Sequence, residues 1–190
     1  MLSLQSRFRS GAPMHLSCFS LPLTWHSNHF LIQEKQLCKR EKLWLMSKDS
    51  LTQKLKAQGF FHVELLYQGW TEDVENGIWQ RDVLLCVNHK PWIFARTALP
   101  ETLLLQLPFD ISKLGTKPLG EQLFNHPQIK QTHLSFTCIP KVMQPKIIST
   151  ENYNNETPLI WGRARRFTYQ KQDFSVFEFF LDNAQKALRG

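Results

Sequence analysis

The feature that most constrains the fold is an apolar run at residues 174–181, FSVFEFFL. Its eight residues include four Phe, one Val and one Leu, a composition typical of a β-strand that is buried on both faces. Glu178 interrupts the run, and on a strand it shares one face with Phe174, Val176 and Phe180. Burying an ionised carboxylate without a partner is costly, so a cation or a hydrogen-bond donor is predicted beside Glu178. The run alone leaves two interpretations open: a structural Glu–Arg pair or edge position, and a functional carboxyl group.

A second isolated charge lies on the strand predicted at residues 78–87. Alternation places Arg81 in one row with Trp79, Val83 and Leu85, so its guanidinium faces a predicted core. An Arg near a strand end can also extend its head to solvent, which is the alternative. Arg81 and Glu178 are thus two isolated charges on predicted core faces. We expect that they contact each other or that both contact a ligand.

The strand pattern as a whole predicts the fold class. The strands are joined mainly by turns, and helices are predicted before them and between the third and fourth. This order predicts an α+β fold with an antiparallel sheet of about six strands. The predicted strands cover residues 60–70, 78–87, 92–98, 132–139, 159–168 and 174–181.

Two predicted helix starts could bind an anion through their backbone. Ser50 and Gln53 have capping-box spacing, so a helix is expected to begin near Leu51 and to end near Gly59. Pro118 suits the start of a second helix, and Leu119 follows it. The first N–H groups of a helix have no partner within it, although an ordinary capped helix is the alternative at each position.

Charge and cysteine content limit the possible partners. The net charge of +7 allows nucleic acid, an acidic membrane surface or a small anion. Because no recognition helix, zinc-finger spacing or dense basic stripe is present, nucleic-acid binding is not expected. The four cysteines form no CxxC pair and no cluster at metal spacing, so we expect no metal and a reduced, cytoplasmic protein. No apolar stretch approaches the ~18 residues of a membrane span, so stable membrane insertion is not expected.

The domain boundaries follow from the N-terminal composition. Residues 1–20 carry Arg7 and Arg9, several Ser and no acidic residue, a composition that resembles a transit peptide. We interpret them as a disordered extension or an over-long start and exclude them from the fold. Residues 21–190 are expected to form a single domain.

Six motifs appear in the order and spacing of the chorismate–pyruvate lyase family: DSLTQKL, QRDVLLC, PWIFARTALP, LGTKPLGEQLF, IWGRARRF and FEFFL. The chain resembles this family from about residue 21 to residue 181. The resemblance implies a bacterial enzyme that cleaves chorismate to 4-hydroxybenzoate and pyruvate at the start of ubiquinone synthesis. It also implies a monomeric α+β fold, no cofactor and a site closed beneath flaps.

The resemblance also nominates site residues. Arg81 in QRDVLLC matches the family's Arg, and Glu178 in FEFFL matches its Glu. Leu51 and Leu119 match the two backbone contacts. The resemblance implies that Arg81 and these backbone groups hold the ring carboxylate of chorismate. It also implies that Glu178 hydrogen-bonds the ring hydroxyl and assists proton transfer. Candidates for the enolpyruvyl carboxylate are Arg96, Arg163 and Arg165.

Two departures and two rival functions accompany the resemblance. The extension at residues 1–20 has no family counterpart, and the predicted flap at residues 140–158 is longer than in compact members. The chief rival is a non-catalytic small-anion-binding domain, like the effector domains of bacterial regulators that share this fold. Those domains follow a winged-helix domain, for which residues 1–50 are too short. RNA binding is the second rival, and the lack of a concentrated basic face speaks against it.

Overall fold

The computed structural model of the protein describes residues 23–71, 77–140 and 159–190. The predicted extension (1–20) lies outside these ranges, as does the predicted flap (140–158) except for Pro140. Both therefore stay predictions. Among the described residues, no helix is both long and apolar enough to cross a membrane.

The described residues form one antiparallel sheet of six strands in the order β1-β2-β3-β6-β5-β4. This confirms the predicted α+β class and the predicted number of strands. The sheet consists of two three-stranded meanders, β1–β3 and β4–β6, which join where β3 pairs with β6. The strands are β1 (Phe61–Trp70), β2 (Ile78–Val87), β3 (Lys90–Pro100), β4 (Lys130–Pro140), β5 (Leu159–Tyr169) and β6 (Gln172–Phe180).

One hairpin in each meander closes through a two-residue turn, which fixes its register. Asn88 and His89 join β2 to β3 with φ of 49° and 62°, and Gln170 and Lys171 join β5 to β6 with φ of 47° and 64°. Left-handed conformation at both central residues is the geometry of the type I′ hairpin, whose twist matches that of the strands. Because the second turn is this short, the partners across β5 and β6 are fixed along the whole hairpin.

The helices of the described residues cover one face of the sheet, which we call the front face. They are α1 (Asn28–Gln33), α2 (Lys39–Met46), α3 (Leu51–Lys56), α4 (Glu101–Leu104), α5 (Leu119–Asn125) and α6 (Asp182–Arg189), with a 3₁₀ turn at Ile111–Lys113. The start of α3 is as predicted, because the Ser50 hydroxyl accepts the N–H of Gln53 at 3.4 Å.

Residues 184–190 show no periodic pattern in the sequence and are predicted to be a short tail. This prediction is wrong, because helix α6 extends through them to Arg189. Its buried apolar residues are only Ala184 and Leu188, four residues apart. The side chain of buried Gln185 also donates to the carbonyl of Phe180 at 2.9 Å. Packing against the sheet and α2 stabilises this helix, and so short a segment shows too few apolar residues to reveal a period.

The core of the front face is divided into two apolar clusters. One packs α2 and α3 onto the sheet and includes Leu45, Leu55 and Val83. The other packs α4 and α5 onto the sheet and includes Leu103 and Leu123. The opposite, back face carries its own apolar cluster, with residues such as Leu84, Phe94 and Phe179. The front face therefore has a seam between its two clusters.

Candidate active site

A narrow cavity lies in this seam, and all four predicted site residues line it: Leu51, Arg81, Leu119 and Glu178. Apolar side chains from both front-face clusters, among them Leu85 and Val176, form much of its wall. About 40 Å³ is open to the centres of water-sized molecules, more than one buried water requires. The cavity therefore combines an apolar lining with a few buried charges, as small-molecule sites do.

Glu178 forms a buried ion pair with Arg163. The two residues are partners across β5 and β6, and Nε of Arg163 donates to Oε2 of Glu178 at 2.5 Å. Their side chains are 0% and 8% exposed, respectively. The structural ion pair suggested by the sequence thus exists, but its cation is Arg163 and not Arg81. Because Glu178 also lines the cavity, the structural and functional interpretations of this carboxylate are compatible.

Arg163 also holds the end of α2 against the sheet. Its Nη1 donates to the carbonyls of Trp44 at 2.8 Å, Leu45 at 3.1 Å and Ser47 at 2.9 Å. One buried guanidinium therefore neutralises Glu178 and satisfies carbonyls that the helix end leaves unpaired.

Arg81 enters the cavity from β2 and holds the loop that leads into α5. Its Nη2 donates to the carbonyls of Gly115 at 2.8 Å and Lys117 at 3.0 Å. Its Nε is buried and has no hydrogen-bond partner among the described residues. Burial lowers the pKa of Arg81 to about 10, so the side chain is still charged at neutral pH. A buried, charged donor without a partner suits an anionic ligand.

Arg165 is the second cation on the cavity wall. Its Nη2 donates to the carbonyl of Lys48 at 2.9 Å and to Oε1 of Gln131 at 2.5 Å, so it holds the segment just before α3. Its guanidinium lies 5.4 Å from the ring centre of Phe124 and 5.5 Å from that of Phe167. Burial lowers its pKa to about 10, against the opposing effect of Glu178, and it too stays charged at neutral pH.

The structure separates the three arginines that the sequence left as equal candidates. Arg165 lines the cavity, whereas Arg163 is engaged with Glu178. Arg96 lies elsewhere, in a bidentate pair with Asp82 at 2.7 and 2.5 Å. The Arg163–Glu178 pair depends on the register of β5 and β6, which the two-residue turn at Gln170–Lys171 fixes and which no sequence motif indicates.

The starts of α3 and α5 meet at the cavity because Gly120 has no side chain. A Cβ atom at Gly120 would lie 2.8 Å from Oγ1 of Thr52, closer than such atoms approach. Pro118 precedes α5 and offers no side-chain cap to its first N–H groups. Leu51 and Leu119, the first residues of the two helices, are therefore placed side by side on the cavity wall.

Comparisons with known proteins match nearly the same residues as the sequence resemblance, which covers about 21–181. A family model described as chorismate lyase matches residues 24–186, which include all four site residues. The chain is 36% identical over 157 residues to the "probable chorismate pyruvate-lyase" of Shewanella sp. strain ANA-3, spanning 77% of this chain and 82% of that protein. It is 32% identical over 151 residues to the protein of the same name from Pseudomonas aeruginosa strain UCBPP-PA14, spanning 73% and 81%.

One solved structure shows a weak overall likeness. The crystal structure of PhnF from Mycobacterium smegmatis matches with a TM-score of 0.48 and 14% sequence identity, covering 74% of this chain and 67% of that one. The evidence for the family therefore comes from the family model and the curated relatives, and not from this structure.

Proposed function

Because the chain belongs to the chorismate lyase family, we propose that it eliminates pyruvate from chorismate and releases 4-hydroxybenzoate, for ubiquinone synthesis. The protein is thus a carbon–oxygen lyase. The observation that carries the proposed reaction is that Leu51, Arg81, Leu119 and Glu178 line one buried cavity. These are the four positions that the resemblance nominates, and they come from four different elements of the chain.

The charges around the cavity match those of a dicarboxylate. Arg163 offsets the charge of Glu178 through their ion pair, which leaves Arg81 and Arg165 as cations of the wall that have no ion-pair partner among the described residues. Chorismate carries two carboxylates, so its entry would neutralise both arginines. Burying a charge is favourable only when it is paired, so this balance favours a doubly charged anion.

Arg81 is the proposed partner of the ring carboxylate. Arg81 lines the same cavity as Leu51 and Leu119, and its Nε has no hydrogen-bond partner among the described residues. A guanidinium matches the two oxygens of a carboxylate, and first-turn N–H groups supply further donors. Arg165, on the same wall, would then receive the enolpyruvyl carboxylate, and its stacking on Phe124 and Phe167 would keep it oriented.

Glu178 is proposed to act at the ring hydroxyl. The reaction removes the ring proton beside this hydroxyl and breaks the ether C–O bond, so the ring becomes aromatic and the ether electron pair leaves with enolpyruvate. Enolpyruvate takes up a proton to become pyruvate. Aromatisation drives the reaction, so the protein contributes orientation, an apolar surround and help with proton transfer. The carboxylate of Glu178 would accept a hydrogen bond from the ring hydroxyl and so hold the ring in place while the ether bond breaks.

The direct test is to incubate the purified full-length protein with chorismate and measure both products. We expect 4-hydroxybenzoate and pyruvate in equal amounts. Tight binding of 4-hydroxybenzoate without turnover would instead support the non-catalytic anion-binding alternative. A protein that neither turns over chorismate nor binds 4-hydroxybenzoate would exclude both functions.

A further inference from the structure

A cluster of three potential metal ligands lies on the back face of the sheet, away from the cavity. His62 and Glu64 are on β1, and Cys86 is the partner of His62 on β2. Nε2 of His62 lies 3.1 Å from Oε1 of Glu64, and the ligand atoms of all three residues lie within 4.8 Å of one another. Cys86 belongs to the apolar cluster of the back face, whereas its neighbours Val83 and Leu85 line the cavity.

We propose that His62, Glu64 and Cys86 bind one divalent transition-metal ion, with Zn²⁺ the best match, and that water completes the coordination. Imidazole, thiolate and carboxylate are the ligands that Zn²⁺ takes in proteins, whereas Mg²⁺ and Ca²⁺ prefer oxygen ligands alone. The sequence showed no metal spacing because the ligands come from two strands and only the sheet register brings them together.

The geometry requires only a small adjustment. Zn–S bonds of about 2.3 Å and Zn–N or Zn–O bonds of about 2.0–2.2 Å place tetrahedral ligands roughly 3.5 Å apart. The separations here are at most 4.8 Å, so none has to shrink by more than about 1.3 Å. The side chains of His62 and Glu64 are 28% and 51% exposed, so both can rotate toward the buried thiol.

The His62 ring can bind the ion without losing a hydrogen bond to a residue outside the proposed site. Its Nε2 contacts Glu64, a proposed co-ligand, and its buried Nδ1 has no hydrogen-bond partner among the described residues. His89, in the turn between β2 and β3, has its ring centre 5.4 Å from that of His62. His89 therefore lies at the edge of the proposed site that is nearest to that turn.

The site is independent of the proposed chemistry. It connects the edge strand β1 to β2 on the face opposite the cavity, so a bound ion would stabilise the fold and leave the cavity residues in place. An ion that binds only the folded chain raises its unfolding temperature by mass action.

The test uses the full-length protein without a histidine tag, stripped with a chelator. Co²⁺ reports thiolate ligation through a sulfur-to-metal charge-transfer band, and competition by Zn²⁺ then gives the affinity for zinc. We expect one ion per chain, a thiolate band, and a rise in unfolding temperature with Zn²⁺ but not with Mg²⁺.

Variants separate the site from adventitious binding. Cys86→Ala should abolish the thiolate band, and His62→Gln and Glu64→Gln should each weaken Zn²⁺ binding at least about tenfold. Cys138→Ala and His133→Gln, which alter a cysteine and a histidine of β4, should bind like the wild type. Circular dichroism verifies that each variant is folded. If Cys86→Ala does not fold, the affinities of His62→Gln and Glu64→Gln for Zn²⁺ decide the test. A missing thiolate band in the wild type, or unchanged affinity in the Gln variants, would overturn the proposal.

Discussion

Arg163 donates to only one oxygen of the Glu178 carboxylate, Oε2, across the β5–β6 ladder. The other oxygen, Oε1, makes no hydrogen bond within the described part of the chain. A carboxylate held this way has one oxygen that fixes its position and charge and one that is available to a ligand in the cavity. The proposed mechanism uses this second oxygen.

Replacing Glu178 with Gln should lower turnover of chorismate by about 10²–10⁴-fold, the usual contribution of acid–base assistance. An amide oxygen still accepts from Arg163, so the fold should persist, and the measurement is kcat together with the unfolding temperature. Glu121→Gln, at an exposed ion pair with Lys56, is the matched control and should leave kcat unchanged. A near-normal kcat in Glu178→Gln would remove this residue from the chemistry.

Replacing Arg81 with Lys should weaken binding of 4-hydroxybenzoate about 10- to 100-fold. Lysine keeps the charge but loses the planar donor set that serves both the loop carbonyls and the ligand. Isothermal titration with product measures the effect, and Arg40→Lys on the exposed side of α2 is the control. If Arg81→Lys binds product like the wild type, the assignment of the ring carboxylate to Arg81 is wrong.

Replacing Arg165 with Gln should distinguish substrate from product. Chorismate has the second carboxylate and 4-hydroxybenzoate does not, so KM for chorismate should rise about 10- to 100-fold while product affinity changes much less. Arg166→Gln, on the other face of the same strand, is the control. Equal losses for both ligands would mean that Arg165 acts only by holding the segment before α3.

Replacing Arg163 with Met should lower the free energy of unfolding by about 3–5 kcal/mol, because it leaves Glu178 buried without its cation. Urea unfolding followed by circular dichroism measures this loss. Lys56→Met breaks an exposed pair, with side chains 52% and 36% exposed, and should lower the free energy by no more than ~1 kcal/mol. Similar losses in the two variants would contradict a structural role for Arg163.

Replacing Gly120 with Ala should reduce turnover although Ala favours helix, because the new Cβ would displace Thr52 and separate the two helix starts. The double variant Gly120→Ala with Thr52→Ala removes the atom that clashes and should recover part of the activity. A double-mutant cycle on kcat/KM measures this coupling. Purely additive effects would show that the contact between the helix starts does not govern the site.

The face of the sheet on which each strand residue lies could be predicted from the sequence, because side chains alternate between the two faces along a strand. Alternation placed Arg81 and Glu178 on core faces, and the structure puts both on the cavity wall. The strand predicted at residues 78–87 has those bounds in the structure. Ser50 likewise marked the start of α3, because its capping contact is local.

What the sequence could not supply was the pairing between elements. The cation beside Glu178 depends on register, and Gln170 and Lys171 form the hairpin turn without the Asn-Gly signal that usually identifies one. The approach of Gly120 to Thr52 joins two helices that are distant in the chain, so no local pattern reveals it.

The arrangement of the two meanders has a consequence for the order of folding. Arg81 belongs to the first meander, Glu178 and Arg165 belong to the second, and only the pairing of β3 with β6 brings them together. The β2–β3 and β5–β6 hairpins close through two-residue turns, whereas this pairing closes a long stretch of chain and loses more conformational entropy before its contacts form. We therefore expect the cavity to be completed late in folding. Recovery of activity during refolding would then follow the joining of the meanders, and not the earlier formation of their hairpins.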